Sequence, residues 1–84
     1  MSPIEFRPLA RTVTISEDEL TVRLADGRAI TVPLVWFPGL LNATVAARNK
    51  WELLGDGEGI HWPDADEDLS VDGLLVGSRV RGAA

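Results

Sequence analysis

The chain has 84 residues, a net charge of −5 from 13 acidic and 8 basic side chains, and no cysteine. Its length predicts one small domain over residues 1–84, with flexible ends at residues 1–3 and 78–84. The absence of cysteine excludes disulfides and thiolate metal sites. The acidic balance argues against direct nucleic-acid binding, which needs clustered positive charge. The sequence has no signal-peptide pattern and no apolar run near the ~18 residues of a membrane span, so we expect a cytoplasmic protein.

The first part of the chain alternates apolar and polar residues as β-strands do. Residues 3–9 predict a short strand that its two prolines confine to a sheet edge, and residues 12–16 predict a second strand. The alternation is clearest in ELTVRL, residues 19–24, and AITVPL, residues 29–34. The Asp-Gly step between them predicts a tight hairpin, in which Gly27 supplies the positive φ of the turn.

After Pro33 the apolar residues change to helical spacing. Trp36 and Leu40, like Phe37 and Leu41, stand four residues apart and predict a short helix. A second short helix is predicted over residues 45–49, with the Thr44 hydroxyl as its N-cap because threonine oxygen accepts from a free first-turn N–H.

The second half of the chain predicts two short strands and a last helix. The strands cover residues 51–54 and 60–62, with a glycine-rich turn between them. Ser70 is predicted to cap a helix over residues 70–76, in which Leu74 and Leu75 face the core. The expected fold is α+β, an antiparallel sheet of four to five strands packed by two or three short helices.

The stretch GIHWPDADEDLSVDGLLVG, residues 59–77, is the place to look for a site. Its aspartates occupy positions one, three, five and nine of a calcium-loop frame: Asp64, Asp66, Asp68 and Asp72. The frame needs glycine at position six and glutamate at position twelve, and leucine stands at both. Weak divalent binding stays open, but we interpret the run as a solvated acidic lead-in that favours the following helix N-terminus.

His61 is the single histidine and the natural candidate for a general base. No serine or carboxylate is placed by spacing to complete a triad with it, so we interpret it as a packed strand residue. We interpret the tryptophans, Trp36, Trp51 and Trp62, as core, with binding hot spots as the alternative. The sequence therefore predicts no catalytic residue, no cofactor, no metal and no enzymatic activity.

Five arginines alternate with acids along the chain. They would form one basic strip if the strands brought them together, and the sequence leaves this open: Arg7, Arg11, Arg23, Arg28 and Arg48. The acids between them favour a mixed, salt-bridged surface instead.

Residues 20–77 resemble a bacterial family defined as domain of unknown function 2442. The resemblance is carried by DGRAITVPLVWFPGLLNAT and RNKWELLGDGEGIHWPDADEDLSVDGLLVG, about two-thirds of the chain. It implies a small α+β fold with an antiparallel sheet and supplies no catalytic residues. It also implies a partner, because members often accompany a small protein of uncharacterised family 4160 in arrangements similar to toxin–antitoxin pairs, and some carry an additional helix-turn-helix DNA-binding domain.

We therefore predict a non-catalytic protein-interaction module, the antitoxin-like or accessory half of a small bacterial protein pair. The expected partner is a small basic protein encoded nearby. The predicted contact surface lies between Gly59 and Asp72 and consists of His61, Trp62, Asp64, Asp66, Asp68 and Asp72. The alternative is a self-associating regulatory or ligand-sensing domain linked to transcriptional control, which would form a homodimer.

Overall fold

The computed structural model describes residues 8–77. Within them, the first three strands form one antiparallel sheet and the last three form another: β1 (Ala10–Ile15), β2 (Glu19–Leu24), β3 (Ala29–Pro33), β4 (Glu52–Leu54), β5 (Gly59–Trp62) and β6 (Glu67–Ser70). The predicted ends at residues 1–3 and 78–84, and most of the predicted strand over residues 3–9, lie outside the described residues.

Three short helices and a helical turn make up the remaining regular structure of the described residues. A 3₁₀ turn at Leu34–Trp36 leads into α1 (Pro38–Leu41) and α2 (Val45–Arg48), which connect the two sheets in sequence, and α3 (Val71–Leu75) follows β6. Within residues 8–77 no helix has the length or the continuous apolar sequence that crossing a bilayer requires.

The first sheet follows from the alternation in the sequence. β2 is central, and register pairs Val22 with Val13 on β1 and with Ile30 on β3, so the apolar residues of three strands share one face. The hairpin between β2 and β3 turns at Gly27, whose φ of +97° confirms the predicted left-handed conformation. The α+β class is confirmed by these strands and helices.

The prediction of one sheet of four to five strands is wrong, because residues 8–77 form two sheets of three strands each. The helical segment after β3 carries the chain away from the first sheet, and β4, β5 and β6 then pair among themselves. The two sheets meet where the Ala10 N–H donates a hydrogen bond of 2.7 Å to the Gly57 carbonyl. This contact is a junction and not a continuation of the strand ladder.

Both sheets contribute to one cluster of buried side chains. The cluster joins residues of β1, β2 and β3 to Phe37, Leu40, Ile60, Trp62, Val71 and Leu74. Trp62 is the largest fully buried side chain, and its indole N–H donates to the Arg48 carbonyl at 3.0 Å. Leu74 is buried as predicted, but the prediction for Leu75 is wrong: it is exposed, since α3 has little more than one turn and presents only one face to the core.

Both predicted helix caps are present. Thr44 Oγ1 accepts a hydrogen bond of 3.1 Å from the Ala47 N–H at the start of α2. Ser70 Oγ accepts one of 2.9 Å from the Gly73 N–H at the start of α3. Each hydroxyl satisfies an N–H group that a helix's own first turn leaves without an intrahelical acceptor.

Candidate functional site

His61 lies at the centre of the second sheet with a carboxylate residue on each side. Strand register pairs it with Glu52 on β4 and with Asp68 on β6, so the three residues form one row across the sheet. Directly opposed residues on neighbouring strands have Cβ atoms about 5 Å apart, within reach of one another. The row lies on the face opposite to Ile60 and Trp62, which point into the core.

The His61 imidazole is oriented by its contact with Asp68. Nδ1 of His61 and Oδ1 of Asp68 are hydrogen-bonded, and the two side chains are half-buried and exposed, respectively. A histidine oriented by a carboxylate is part of many hydrolytic sites, but acyl transfer also needs a nucleophile within reach of the ring. The next hydroxyl along β6, Ser70, is engaged as the cap of α3. The pair therefore supports a structural cross-strand role.

The four aspartates of the calcium-loop frame are dispersed by the backbone. Asp64 forms a salt bridge of 3.1 Å with Lys50, Asp66 occupies a left-handed turn position with φ of +52°, and Asp72 lies in the first turn of α3. Asp68 belongs to β6, a strand that was not predicted from the sequence. In the part of the chain that the structure describes, no three His, Asp or Glu side chains are arranged to hold a metal ion.

Trp62 was predicted to form part of the contact surface, but the structure places its side chain in the core. Its side chain has no exposed area and fills the core beneath β5, so a partner cannot reach it in this fold. Alternation along the strand explains the difference from its neighbour, since His61 and Trp62 point to opposite faces. The core interpretation of Trp62 is confirmed; the predicted surface retains His61 and the aspartates, which lie at or near the protein surface.

The second sheet, with its turns and the start of α3, is acidic throughout. Residues 52–72 contain no lysine or arginine and eight carboxylates, from Glu52, Asp56, Glu58, Asp64, Asp66, Glu67, Asp68 and Asp72. The described residues contain five lysines and arginines in all, at positions 11, 23, 28, 48 and 50. The excess of negative charge in the chain is therefore concentrated in one structural unit.

Two of the arginines considered for a basic strip, Arg28 and Arg48, are engaged in local contacts. Arg28 forms a salt bridge of 2.7 Å with Asp26 in the hairpin turn. The Arg48 guanidinium donates to the carbonyls of Leu40 and Leu41, at 2.9 and 2.8 Å, and so closes the end of α1. Arg7 lies outside the described residues. The arginines that make these contacts have local structural roles.

An open groove lies beside β3, on the part of the molecule built by the first sheet and α1. It has a volume of about 540 Å³ and is lined by Asp18, Glu19, Thr31, Val32, Pro33, Val35 and Leu41. We call this feature the β3 groove. Val35 is 64% exposed and Leu41 is 38% exposed, which leaves two apolar side chains in contact with water at its walls.

The β3 groove was not predicted from the sequence, because the apolar spacing after Pro33 indicated a regular helix. The segment is instead a 3₁₀ turn followed by a four-residue helix, which buries Leu34, Phe37 and Leu40 and leaves Leu41 at the surface. The short interval from Pro33 to Pro38 was the available signal, since two prolines five residues apart restrict a continuous helix.

Comparisons with known proteins agree with this fold. A family model described as "Protein of unknown function (DUF2442)" matches residues 10–80. The crystal structure of a protein of unknown function from Rhodospirillum rubrum has a TM-score of 0.75 and 32% identity, over 92% of this chain and 95% of that one. The solution NMR structure of an uncharacterised protein from Chromobacterium violaceum has a TM-score of 0.74 and 25% identity, over 88% and 70%. No functionally curated protein matches the chain.

Proposed function

We propose that this chain, which belongs to the DUF2442 family of proteins of unknown function, is a non-catalytic interaction module that binds a small basic protein in the cytoplasm. It would act as the antitoxin-like or accessory half of a bacterial protein pair, with its partner encoded nearby. The observation that carries the proposal is the charge of the second sheet, where residues 52–72 combine eight carboxylates with no lysine or arginine.

Charge complementarity gives such a surface a defined role in association. Opposite potentials on two proteins speed their encounter and disfavour partners of the wrong charge, and salt screens this attraction over about 10 Å at 0.1 M. The mechanism would be steric occlusion, in which the module covers a functional basic surface of its partner. No bond is made or broken in this role.

The first experiment is affinity purification of the tagged chain, expressed from its own locus, with mass spectrometry of the proteins that accompany it. We expect one stoichiometric small basic protein. Association of the two purified proteins should slow as salt is added, because the charge attraction is screened. Salt-independent association would remove the electrostatic part of the proposal, and recovery of the chain without any partner would overturn it.

A matched pair of substitutions locates the contribution of the second sheet. Asp72→Asn and Glu17→Gln each remove one exposed carboxylate and change the net charge equally, but only Asp72 lies in the predicted contact surface. Asp72→Asn should slow association about twofold at low salt, since a charge at the rim acts mainly on the association rate. Glu17→Gln should slow association less than Asp72→Asn, because Glu17 lies outside the acidic second sheet.

A second candidate function is the self-associating regulatory or ligand-sensing domain linked to transcriptional control. The observation that favours it is β4, a three-residue edge strand with Leu53 37% and Leu54 44% exposed. An exposed, partly apolar sheet edge can pair with the same edge of another copy. Sedimentation of the purified chain at micromolar concentration distinguishes the candidates, because a defined dimer without a partner would favour self-association.

A further inference from the structure

We infer that the β3 groove is the docking site for a peptide segment of the partner in which a bulky apolar side chain stands next to arginine or lysine. This inference rests on the proposed function, because it specifies which part of a basic partner binds and where. It adds a contact separate from the acidic second sheet, formed by the β1–β2 turn, β3 and α1.

The apolar part of the β3 groove selects an apolar side chain. Its apolar lining residues are Val32, Pro33, Val35 and Leu41, of which Val35 and Leu41 have exposed side chains. Covering the exposed apolar area removes it from water, which favours binding roughly in proportion to the area covered. A volume of about 540 Å³ lies in the range of roughly 300–1,000 Å³ typical of binding clefts, which is room for one or two large side chains.

The walls of the β3 groove are held in place by hydrogen bonds to the backbone. The Leu34 N–H donates to the Asp18 carbonyl at 2.8 Å, which ties the end of β3 to the β1–β2 turn. On the other side, Arg48 donates to the Leu41 carbonyl at 2.8 Å. A groove that is already formed requires little ordering when a ligand binds, and this preserves affinity.

The charged part of the β3 groove selects a cation beside the apolar side chain. Asp18 and Glu19 are among the lining residues, and none of the lining residues is basic. A carboxylate pair at the edge of an apolar groove favours a guanidinium or ammonium group over a neutral or acidic one, with arginine able to bind in a bidentate manner. A peptide with adjacent apolar and basic residues satisfies both features, and such segments are frequent in a basic protein.

The test is selection of a phage-displayed library of random dodecapeptides against the tagged full chain, followed by synthesis of the enriched peptides. We expect the enriched sequences to place Leu, Ile, Met or Phe next to Arg or Lys. Val35→Lys should weaken their binding at least about tenfold, since it puts a cation on the apolar wall that meets the peptide's own cation. The matched control is Val45→Lys, because Val45 is 70% exposed on α2 and does not line the groove.

A double substitution that removes both negative charges and nearly conserves side-chain shape tests the acidic side independently. Asp18→Asn with Glu19→Gln should weaken binding about threefold at low salt and less at high salt, as expected for a screened attraction. The inference is overturned by an absence of enriched peptides, by enriched peptides without a basic residue, or by equal binding to the Val35→Lys and Val45→Lys variants. Circular dichroism of each variant verifies that it is folded.

The same variants separate this inference from the proposed function. If the captured basic partner binds the Val35→Lys variant as tightly as the unsubstituted chain, the β3 groove is not its docking site and the proposed function stands. If affinity purification finds no partner, the proposed function fails, while peptide selection still decides whether the groove binds apolar-basic segments.

Discussion

At the scale of single residues, Gly57 occupies a position at the junction of the two sheets where no side chain fits. Its φ is +113°, and a Cβ built on it would lie 2.5 Å from the Ala10 carbonyl oxygen and 3.0 Å from the Ala10 nitrogen. Both atoms belong to the start of β1, and the Ala10 N–H donates the hydrogen bond to the Gly57 carbonyl that joins the sheets. A methyl group at this position would therefore push the junction apart.

Gly57→Ala should destabilise the fold considerably more than Gly27→Ala. Both glycines have positive φ, but a Cβ at Gly27 meets nothing within 4 Å. Gly27→Ala should cost about 1–2 kcal/mol for the left-handed backbone alone, whereas Gly57→Ala adds a backbone clash and should cost about 3 kcal/mol or more. Urea unfolding of the two variants measures the difference in their free energies of unfolding. Equal decreases would show that the backbone at the junction adjusts to the added methyl group without destabilising the fold.

Asp66 illustrates how a residue in a predicted site can have a conformational reason for its identity. Its φ of +52° is in the left-handed region, which aspartate and asparagine tolerate better than other side chains with a Cβ. The turn between β5 and β6 thus accounts for an aspartate at this position whether or not a partner binds it. A carboxylate in an acidic run is consequently weak evidence of a site.

At the scale of elements, the β2–β3 hairpin is closed by the interaction of Asp26 with Arg28. The Arg28 side chain and backbone N–H both donate to the Asp26 carboxylate, at 2.9 and 3.0 Å. The hydrogen bond from the Arg28 side chain, followed by that from its N–H, lowers the pKa of Asp26 below the ordinary value of an aspartate. The pKa of Asp26 is lower in the folded chain than in the unfolded chain. The ionised carboxylate therefore stabilises the fold at any pH above its unfolded pKa, and this contribution is lost as the pH falls through its folded pKa.

NMR titration of the Asp26 carboxyl carbon should therefore give a midpoint below that of an unstructured aspartate. Arg28→Gln should move the midpoint upward, because it removes the guanidinium that donates to the carboxylate. Asp26→Asn should reduce the fall in folding stability at acidic pH, because the variant has no carboxylate to protonate at this position. A midpoint in the folded chain that Arg28→Gln leaves unchanged would contradict the assignment.

The strands also show which elements local sequence determines. β2, β3 and the turn at Gly27 were predictable because alternation and the Asp-Gly step act within a few residues. β6 was not, since Glu67, Asp68 and Ser70 are uncommon in strands and their acidity suggested a loop. Charged side chains are nonetheless frequent on edge strands, which is where β6 lies.

Strand pairing and the candidate site depend on contacts between residues far apart in sequence. The alternation of Ile60, His61 and Trp62 was visible in the sequence, but which face is covered is decided by packing against the other sheet, and this placed Trp62 inside. The pairing of His61 with Asp68 follows from the unpredicted β6. The β3 groove combines the β1–β2 turn with α1, a proximity that no local pattern encodes.

At the scale of the whole molecule, Trp62 links the second sheet to the rest of the fold. It is fully buried in a cluster with residues of the first sheet, and its indole N–H donates to the Arg48 carbonyl of α2. Small domains bury a limited fraction of their surface, so a core shared by both sheets makes the stability of each depend on the other. The two sheets should consequently unfold together.

Trp62→Phe tests this dependence because it removes the indole hydrogen bond and leaves space in the shared core. The free energy of unfolding should fall by about 2–4 kcal/mol, because the Arg48 carbonyl loses its donor and the core loses packing contacts. Trp51→Phe should lower it by only about 1 kcal/mol, because the Trp51 side chain is half-buried. Amide hydrogen exchange should show protection falling by the same free energy in β2 and in β5, since both open in the same global event. Protection that falls in β5 while β2 keeps its original value would instead mean that the first sheet and its groove are stable independently of the acidic sheet, and that the two candidate contact surfaces belong to separable units.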